Sequence, residues 1–391
     1  MLKNILVGIC GSIAGYKSPL IIRELQKKDY PVKVMMTEAA QNFISPRVLQ
    51  YLLRDEIYSE SFNSYQNFKI PHIDAAQWAD LILISPASAN TIAKLSLGIS
   101  DNLLTSTLLA FQGPVLIAPA MNSKMWENPK TQEHVENLKK RGRVIIYPET
   151  GELACGTTGS GRLAELSKII LEVEKALTPP LLKNLKVVVS AGGSCEYIDQ
   201  VRVITNLSSG KMGVSFARNA YLHHAKEVSL VHSPSVPPPG GIKSIPSLIS
   251  DEFRKNLEVE AEHSDLLIMS AAISDFKPLN PVSGKIPRKD NLSLNLVSNP
   301  DIVAGLKKKF PHLFVLGFAL ETENYIDKAR QKIKQKNLDM ILVNSLQSLN
   351  NECADAWLLN NQGEILCEFK NTAKNIIAQR TLKIIADQLS T

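Results

Sequence analysis

Short aliphatic runs alternate with amphipathic stretches along the first half of the chain. NILVGIC (4–10) is a continuous apolar run followed by glycine, and VKVMMT (32–37) is a second such run. Between them, SPLIIRELQKK (18–28) repeats its apolar residues at helical spacing and carries its charges on the other face. The pattern predicts a buried strand, an amphipathic helix and a second buried strand.

Later aliphatic runs continue the alternation, and each is followed by small or turn-forming residues. The runs predicted as strands are ADLILISPA (79–87), GPVLIAPAMN (113–122) and RVIIYP (143–148). Strands that alternate with helices predict a parallel sheet covered on both faces. Ligands of such sheets bind beyond the carboxyl ends of the strands, where the turns at 10–15, 85–90 and 119–126 are expected to lie.

The alternation stops and restarts near the middle of the chain. LTPPLLKNLK (177–186) contains a Pro-Pro pair and places a domain boundary near 178–182. The strands predicted after it are LKVVVSAGG (185–193), KEVSLVHS (226–233), DLLIMSAA (265–272), LFVLGFA (313–319) and DMILVN (339–344). We therefore expect an α/β protein with two Rossmann-like three-layer domains and mostly parallel sheets. The loops at 234–241 and 277–291 are too long for simple connections, and loops of this length are usually functional or disordered.

Composition supports two domains and limits the classes of partner and metal site that the protein is expected to have. A chain of 391 residues is too long for one ordinary core, and 44% hydrophobic residues with a net charge of +6 describe a globular protein. This mild positive charge favours small anionic substrates over nucleic acid, although the charge alone leaves both classes of partner open. Five cysteines without a C-x-x-C pair argue against disulfides and a zinc site, and no apolar run is long enough to span a membrane. We expect a cytoplasmic protein.

Two turns of the first half suit ligand binding, although each has a plainer explanation. GICGSIAGYK (8–17) is a Gly-rich strand-to-helix turn that could present backbone N–H groups to an anion, and a simple tight turn explains it equally well. SPASANT (85–91) would let a flat ring or a phosphate approach closely. Alternatively, Ser85, Ser88 or Asn90 caps the following helix, which is the better explanation of this motif taken alone.

His72, Asn122 and Cys155 are the candidate reactive residues. His72 lies at the predicted start of a helix in PHIDAAQWAD, where a histidine is more often structural than catalytic. Asn122 lies in PAMNSKMWENP among methionines and a tryptophan that would usually belong to a core. Cys155 heads CGTTGSGR, whose glycines would allow a loop to close over a substrate.

The order of these motifs resembles the flavin-dependent decarboxylases that act on the C-terminal cysteine of a substrate. The resemblance covers residues 4 to about 165 and rests on five motifs in sequence order. It implies a flavodoxin-like domain whose cofactor pocket lies between the subunits of a trimer. The residues that it implies for FMN binding are Gly11, Ser12, Thr37, Ala87, Asn90 and Ser106.

The same resemblance implies catalytic roles for the candidate reactive residues. His72 would be the general base of the first step, and Asn122 with Met125 would bind the substrate and its carboxylate. Cys155 would be a proton donor on a mobile lid, with Arg162 closing the loop. Oxidation of the substrate thiol to a thioaldehyde creates a C=S group. This group accepts the electron pair that remains when the carboxylate leaves as CO2. The resulting ene-thiolate then needs a shielded acid, which a thiol with a pKa near 8.5 supplies.

Several motifs of the second half also suit anion binding. NLSSGK within residues 190–213 offers hydroxyls, backbone donors and Lys211 to phosphate-like groups, but it lacks the spacing of a P-loop. SAAISDFKP (270–278), NPDIV (299–303) and GFALET (317–322) fall at strand ends or a helix start. The plainer alternatives are that NPDIV is a helix cap and that KARQKIKQK, with Lys332 and Lys336 on one helix face, is a solvated helix.

Taken together, these motifs resemble the phosphopantothenate–cysteine ligase domain over residues 185 to about 345. That family uses CTP and Mg2+ to form an acyl-cytidylate, which the amine of cysteine attacks. Asn206 would hold the activated carbonyl, and Lys285 would also stabilise the charge on the transferring phosphate. The residues implied for CTP binding are Asp275, Lys285, Asn299, Pro300, Asp301, Ile302, Phe318, Lys332 and Lys336.

One segment departs from the ligase pattern. SAGGSCEYIDQVR has Cys195 where the family has an arginine, and Tyr197 and Gln200 where it has prolines. A thiol is not a conservative replacement for a bidentate phosphate ligand, so the departure bears on ligase affinity or efficiency. The sequence after about residue 350, with Cys353 and Cys367, matches no catalytic motif, and we interpret these two cysteines as packing residues.

A fused decarboxylase and ligase is the arrangement of the bifunctional bacterial enzymes of coenzyme A biosynthesis. We therefore expect residues 1–178 to be an FMN-dependent phosphopantothenoylcysteine decarboxylase and residues 179–391 a CTP-dependent ligase. By resemblance, decarboxylase trimers would join through ligase dimers into a homo-oligomer, as large as a dodecamer, without nucleic acid or membrane partners. The alternatives are a peptide-cysteine decarboxylase, a flavin prenyltransferase relative, and a non-catalytic phosphatase-binding subunit. The first two leave residues 185–345 unexplained, and His72, Asn122 and Cys155 together argue against the third.

Overall fold

The chain folds into two compact units, each with its own hydrophobic cores. The structure is a computed structural model that describes residues 3–55, 57–59, 70–153, 156, 158–288, 291–349 and 351–389. Unit 1 comprises Met1–Thr178 and unit 2 comprises Pro179–Thr391.

A parallel sheet of five strands forms the centre of the described part of unit 1. Its strands are β1 (Ile5–Ile9), β2 (Val32–Met36), β3 (Leu81–Ala87), β4 (Val115–Pro119) and β5 (Val144–Ile145). Their order across the sheet is β2-β1-β3-β4-β5, and every neighbouring pair is parallel. This is the order of a flavodoxin-like fold, so the flavodoxin-like expectation is confirmed. The predicted fifth strand at 143–148 is much shorter in the structure, only two residues long.

Helices cover both faces of this sheet. They are α1 (Ser18–Lys27), α2 (Pro46–Leu53), α3 (Pro71–Trp78), α4 (Ala89–Leu97), α5 (Leu103–Ala110), α6 (Ser123–Trp126), α7 (Pro129–Lys140) and α8 (Leu166–Leu177). Strand β1 shows how one strand serves two cores, because successive side chains point to opposite faces. Ile5, Val7 and Ile9 pack in one buried cluster, whereas Leu6 packs in the other.

A separate antiparallel hairpin follows the sheet of unit 1. It consists of β6 (Glu149–Glu152) and β7 (Thr158–Arg162). The connection between the two strands contains Cys155, which lies outside the described residues.

An eight-stranded mixed sheet forms the centre of unit 2 in the part of the chain that the structure describes. In spatial order its strands are β12 (Lys243–Pro246), β11 (Glu227–His232), β8 (Lys186–Ala191), β13 (Leu266–Met269), β16 (Phe314–Glu321), β17 (Met340–Ser345), β18 (Cys353–Asn360) and β19 (Ile365–Ala373). The strands from β12 to β17 are parallel, whereas β18 and β19 pair antiparallel at one edge. Two small antiparallel ribbons lie beside the sheet: β9 (Cys195–Tyr197) with β10 (Val203–Thr205), and β14 (Phe276–Pro278) with β15 (Leu296–Ser298).

The helices of unit 2 also form two layers. They are α9 (Lys211–Leu222), α10 (Ser250–Ala261), α11 (Ile302–Lys309), α12 (Tyr325–Lys336) and α13 (Lys374–Leu389). Val187 and Val189 of β8 pack in the cluster that contains α9 and α13, and Val188 packs in the cluster that contains α10 to α12. The predicted α/β class with three-layer domains is therefore confirmed. A search of the described helices finds none that could span a lipid bilayer.

Candidate active sites

Most of the predicted flavin-site residues of unit 1 lie at or just after the carboxyl ends of three strands. One more lies in the first turn of the helix that follows the third strand. Gly11 and Ser12 follow β1, Thr37 follows β2, and Ala87 ends β3. Asn90 lies in the first turn of α4 and is exposed. The carboxyl ends of parallel strands lie at one edge of the sheet, so the fold brings these residues to the same edge.

Hydrogen bonds connect the turns at this edge. The Ser12 hydroxyl donates to the carbonyl of Ala120, 3.1 Å away, in the turn that follows β4. The backbone N–H of Thr37 donates to Ile9 O at 3.0 Å. A Cβ atom on Gly11 would lie 2.6 Å from the Cβ of Ala39, which leaves room only for glycine. The strand-end turns are therefore held closely against one another.

The structure also resolves the alternative for SPASANT. Ser88 is the N-cap of α4, and its hydroxyl accepts a hydrogen bond from the N–H of Thr91 at 3.3 Å. The capping explanation is correct for Ser88, and it leaves Ala87 and Asn90 as predicted flavin contacts. Ser106 lies in α5, where its hydroxyl shares a 2.9 Å hydrogen bond with Ser100.

His72 is the second residue of α3 and is half-buried. Helix α3 packs against α5, the helix that carries Ser106. His72 therefore begins a helix that neighbours one predicted flavin contact.

The turn after β4 holds Asn122 in place. Asn122 is the N-cap of α6, and its side-chain carbonyl accepts from the N–H of Lys124 at 2.9 Å. Met125 follows in α6 with half of its surface exposed. Because Asn122 is fixed by its own cap, its direction is set before any substrate arrives.

Hairpin β6–β7 packs directly on the Asn122 turn. Gly161 has φ +132°, its carbonyl accepts from Met121 N at 3.0 Å, and a Cβ atom at this position would lie 2.3 Å from Met121 O. A Cβ atom on Gly159 would lie 2.3 Å from the Ser123 hydroxyl. Arg162 ends the hairpin and pairs with Glu165 at 2.8 Å. The base of the connection that carries Cys155 is thus anchored against Asn122.

In unit 2, a cavity of about 460 Å3 gathers most of the predicted nucleotide residues. The predicted residues among its lining are Asp275, Asn299, Pro300, Asp301, Ile302, Phe318, Lys332 and Lys336. We call this the nucleotide cavity. Lys285 is not part of its lining; it lies exposed in the long connection between β14 and β15.

Carboxylates position the two lysines of the nucleotide cavity. Lys332 donates to Glu321 at 2.7 Å, and Lys336 pairs with Asp301 at 3.0 Å. Glu321 also contacts Lys328 at 3.3 Å and has only 11% of its side chain exposed. Although burial raises the pKa of the Glu321 carboxyl, its hydrogen bonds with the two lysines outweigh burial and lower it.

Asn299 and Asp301 have local structural roles as well. Asp301 is the N-cap of α11 and accepts from Ala304 N at 3.1 Å, as the capping alternative for NPDIV predicted. The amide group of Asn299 donates to Ser274 O at 2.8 Å, but its Oδ1 atom is buried and has no partner in the structure. A buried unpaired acceptor inside a cavity is suited to a donor group of a ligand.

A second cavity of about 190 Å3 adjoins the nucleotide cavity. We call it the substrate cavity. Its lining includes Lys211 and residues 207–210 of the NLSSGK motif, and both cavities share Ala271, Ala272 and Phe318 as wall residues. Asn206 lies next to this shared wall, since its side-chain amide donates to Ile273 O at 3.3 Å and to Ala272 O at 3.5 Å.

The segment that departs from the ligase pattern forms the β9–β10 ribbon. Cys195 is half-buried and its thiol contacts the Thr205 hydroxyl at 3.5 Å, while Tyr197 and Gln200 are exposed. Asp199 in the connecting turn is 1% exposed and accepts from the backbone N–H groups of Val201, Arg202 and Ile286. Burial raises the pKa of Asp199, but these hydrogen bonds outweigh it and lower the pKa to about 2.

Sequence reasoning missed three residues at these cavities. Glu321 is part of the GFALET motif, but its role depends on Lys328 and Lys332, which follow it in α12. Asn344 ends a predicted strand, and Lys374 lies in the segment that matched no motif, yet both line the substrate cavity. Asn344 could have been predicted from its position as a polar residue at the carboxyl end of a predicted strand. No feature of the sequence indicated a role for Lys374.

The described residues contain no cluster of three or more His, Cys, Asp or Glu side chains that could hold a metal ion. Mg2+ commonly binds through one or two carboxylates together with substrate phosphates. The acidic residues of the nucleotide cavity, Asp275 and Asp301, are compatible with that mode.

Comparison with known proteins gives matches to both units. The family model for flavoproteins matches residues 2–178, and the model for the DNA/pantothenate metabolism flavoprotein C-terminal domain matches residues 182–389. Among curated proteins, the coenzyme A biosynthesis bifunctional protein CoaBC of Vibrio cholerae is 36% identical, over 99% of this chain and 98% of that protein. The chain belongs to the CoaBC family. The resemblance inferred from the sequence motifs is thereby confirmed.

Other members of the CoaBC family show similar likeness. The CoaBC protein of Bacillus subtilis is 38% identical, over 88% of this chain and 86% of that protein. The crystal structure of the C-terminal domain of a CoaBC protein is 27% identical and covers 54% of this chain and 98% of that chain, with a TM-score of 0.47.

Proposed function

We propose that this protein carries out two consecutive steps of coenzyme A biosynthesis. Unit 2 ligates cysteine to phosphopantothenate with CTP, and unit 1 decarboxylates the resulting phosphopantothenoylcysteine to phosphopantetheine. Membership of the CoaBC family, which is named for a bifunctional protein of coenzyme A biosynthesis, supports this proposal.

One observation carries the ligase half of the proposal. Formation of an acyl-cytidylate requires the carboxylate of one substrate to meet the α-phosphate of the other. The nucleotide cavity and the substrate cavity adjoin along Ala271, Ala272 and Phe318. Two substrates bound in these cavities would meet at this wall, beside Asn206, whose side-chain amide would hold the activated carbonyl.

The residues of the nucleotide cavity suit a nucleoside triphosphate. Lys332 and Lys336 line the cavity and would neutralise phosphates, and their ion pairs with Glu321 and Asp301 would orient them before the nucleotide binds. Mg2+ would bind through Asp275 and the triphosphate and would offset phosphate charge in the reaction. The unpaired Oδ1 atom of Asn299 would accept from an exocyclic amino group such as that of cytosine. Lys285 would reach the transferring phosphate by movement of its exposed loop.

FMN is the proposed cofactor of unit 1. The site residues fit a flavin nucleotide, since Gly11 leaves the first turn without a side chain and Ser12 and Thr37 add hydroxyls at the same sheet edge. Ala87, Asn90 and Ser106 would complete the contacts. When bound, FMN would accept two electrons from the substrate thiol and return them at the end of the cycle.

The side chains of unit 1 would supply binding and proton transfer. His72 would take the proton of the substrate thiol, while Asn122, fixed by its cap on α6, would bind the carboxylate beside Met125. After CO2 leaves, Cys155 would donate a proton to the carbon of the ene-thiolate. Arg162 would hold the hairpin closed and keep water from the intermediate.

Both half-reactions can be tested separately in the full-length protein. Phosphopantothenate, cysteine and CTP should yield pyrophosphate, and phosphopantothenoylcysteine supplied alone should yield CO2 from a yellow, flavin-containing protein. Release of CO2 without pyrophosphate would reject the ligase half, and a colourless protein that does not retain added FMN would reject the decarboxylase half. The variant N206D should stop pyrophosphate release and leave CO2 formation intact.

We also propose that the protein forms a homo-oligomer in the cytoplasm. Family resemblance supports trimers of unit 1 joined through dimers of unit 2. Light scattering of the purified protein would measure the number of subunits.

A further inference from the structure

The substrate cavity contains a buried positive charge that no role has yet explained. Lys374 is the first residue of the 16-residue helix α13, lines the cavity, and is only 8% exposed. Its ammonium group donates to the carbonyl of Ser348 at 3.1 Å. One carbonyl satisfies only one of its three donors, so the group retains capacity for a ligand.

The surroundings of Lys374 do not neutralise it. Burial lowers the pKa of Lys374 and repulsion by Lys211 lowers it further, and the opposing effects of Glu352 and Cys353 are smaller. Glu352 is the acidic group near both lysines, but it pairs with Lys211 and its side chain is 81% exposed. The first turns of α9 and α13 add the positive ends of two helix dipoles. A cavity with this excess of positive charge favours an anion with more than one negative charge.

Asn344 gives an independent indication that the cavity holds a ligand. It is the penultimate residue of strand β17 and lines the substrate cavity, and its Oδ1 atom is buried without a hydrogen-bond partner. Leaving a buried acceptor unpaired is costly, so the occupant should carry a donor as well as the anion.

We infer that Lys374 binds the phosphate group of phosphopantothenate and thereby distinguishes this substrate from unphosphorylated pantothenate. Asn344 accepts a hydrogen bond from a hydroxyl or amide group of the same molecule. The inference rests on the proposed ligase function of unit 2 and adds a specificity residue to it, from the part of the chain that matched no motif.

The arrangement of the cavities fits this orientation. Phosphopantothenate carries its phosphate and its carboxylate at opposite ends. The carboxylate end must reach Asn206 and the shared wall, so the phosphate must lie on the far side of the substrate cavity. Lys211 and Lys374 lie among the lining residues that the nucleotide cavity does not share.

The test compares phosphopantothenate with pantothenate in the full-length protein. In K374Q the side chain keeps a donor for Ser348 but loses its charge. We expect the preference for phosphopantothenate, measured as the ratio of kcat/KM values for pyrophosphate release, to fall roughly 10- to 100-fold. The KM for CTP and CO2 release from phosphopantothenoylcysteine should not change. K374R, which keeps the charge, should retain most of the preference.

K370Q is the matched control. Lys370 lies on β19, its side chain is 80% exposed, and it is absent from the cavity lining. Its removal should leave the preference unchanged. An equal loss of activity toward both acids in K374Q would show a structural role only and would overturn the inference.

Two measurements keep the inference testable if turnover or folding fails. Calorimetry on the wild-type protein should show tighter binding of phosphopantothenate than of pantothenate. If this difference is measured but no pyrophosphate forms in the activity assay, the proposed function fails and the inference stands. Equal affinities would overturn the inference. If K374Q does not fold, acetylation of wild-type Lys374, followed by mass spectrometry, should be slowed by phosphopantothenate and not by pantothenate, and equal protection would reject it.

Discussion

At the scale of single residues, the side chains proposed to contact ligands are positioned by neighbours that have no such proposed contact. Glu321 is outside the lining of the nucleotide cavity, yet it holds Lys332 at 2.7 Å and Lys328 at 3.3 Å. Gly161 carries no functional group, yet its bare Cα permits the hairpin to pack on the Asn122 turn. Both positions are therefore expected to affect activity indirectly.

E321Q tests the positioning of Lys332. The amide removes the negative charge that orients two lysines, so the KM for CTP should rise several-fold while the KM for phosphopantothenate stays the same. Initial-rate measurements of pyrophosphate release give both constants. E323Q, an exposed glutamate two residues further along, is the control. Equal changes in both KM values would contradict a specific effect on the nucleotide lysines.

G161A tests the contact between hairpin β6–β7 and the Asn122 turn. The new methyl group would lie 2.3 Å from Met121 O, so the hairpin must shift and CO2 release should fall at least tenfold. Pyrophosphate release should be unchanged because it belongs to unit 2. G142A controls for backbone strain: Gly142 also has a positive φ, +77°, but nothing lies within 4 Å of the added atom. Equal losses of decarboxylation in both variants would argue against the hairpin contact.

At the scale of elements, hydrophobic periodicity predicted all five strands of the described unit 1 sheet and five of the eight strands of the described unit 2 sheet, but not β12, β18 or β19. NILVGIC, DLLIMSAA and DMILVN all became central parallel strands, because an uninterrupted aliphatic run is stable only where both faces are buried. Helix starts carry weaker signals in the sequence: α9 begins at Lys211, the last residue of the NLSSGK motif. Gly210, in a left-handed conformation, precedes it, and no side-chain cap marks this start in the sequence.

Site residues could be predicted from the strand pattern where they lie at the ends of predicted strands, and could not be predicted from it elsewhere. Residues at strand ends, such as Ser12 and Asn122, could be located because the parallel fold fixes where strand ends lie. Lys374 could not, since its position depends on an antiparallel return of the chain through β18 and β19 that no motif announced. Lys285 was chosen by resemblance alone, and its place in the reaction stays a prediction.

The end of α9 gives unit 2 a pH-sensitive element. His223 is 3% exposed, its Nδ1 donates to Pro179 O at 2.9 Å, and its Nε2 has no partner. Burial, together with repulsion by His224, lowers the pKa of His223 below 6.5. The unfolded chain therefore binds this proton at a higher pH than the folded chain does. The free energy of unfolding of unit 2 should decrease as the pH falls below about 6.5.

H223Q tests this element. Urea unfolding between pH 7.5 and 5 should show a smaller decrease in stability for the variant than for the wild type, because the group that gains a proton on unfolding is gone. H263Q, an exposed histidine, serves as the control. Identical pH dependence in wild type and H223Q would rule out His223 as the source.

At the scale of the whole molecule, the two units have separate cores. Two buried clusters lie within unit 1 and two others within unit 2, each pair on opposite faces of its own sheet. A polypeptide segment with complete cores of its own should fold without the rest of the chain.

Residues 1–178 and 179–391 should therefore fold as separate fragments. Each should show one cooperative thermal transition by circular dichroism, and the second fragment should release pyrophosphate from phosphopantothenate, cysteine and CTP. A fragment without a cooperative transition would show that its core needs the other unit.

The wall shared by the two cavities of unit 2 has a thermodynamic consequence. Phe318 faces both cavities, so the occupant of one changes the surface offered to the occupant of the other. A non-hydrolysable CTP analogue should alter the affinity for phosphopantothenate, and reciprocity requires the same factor in the opposite direction. F318L should bring that factor toward one, so cooperativity between the two ligands would report directly on their shared boundary.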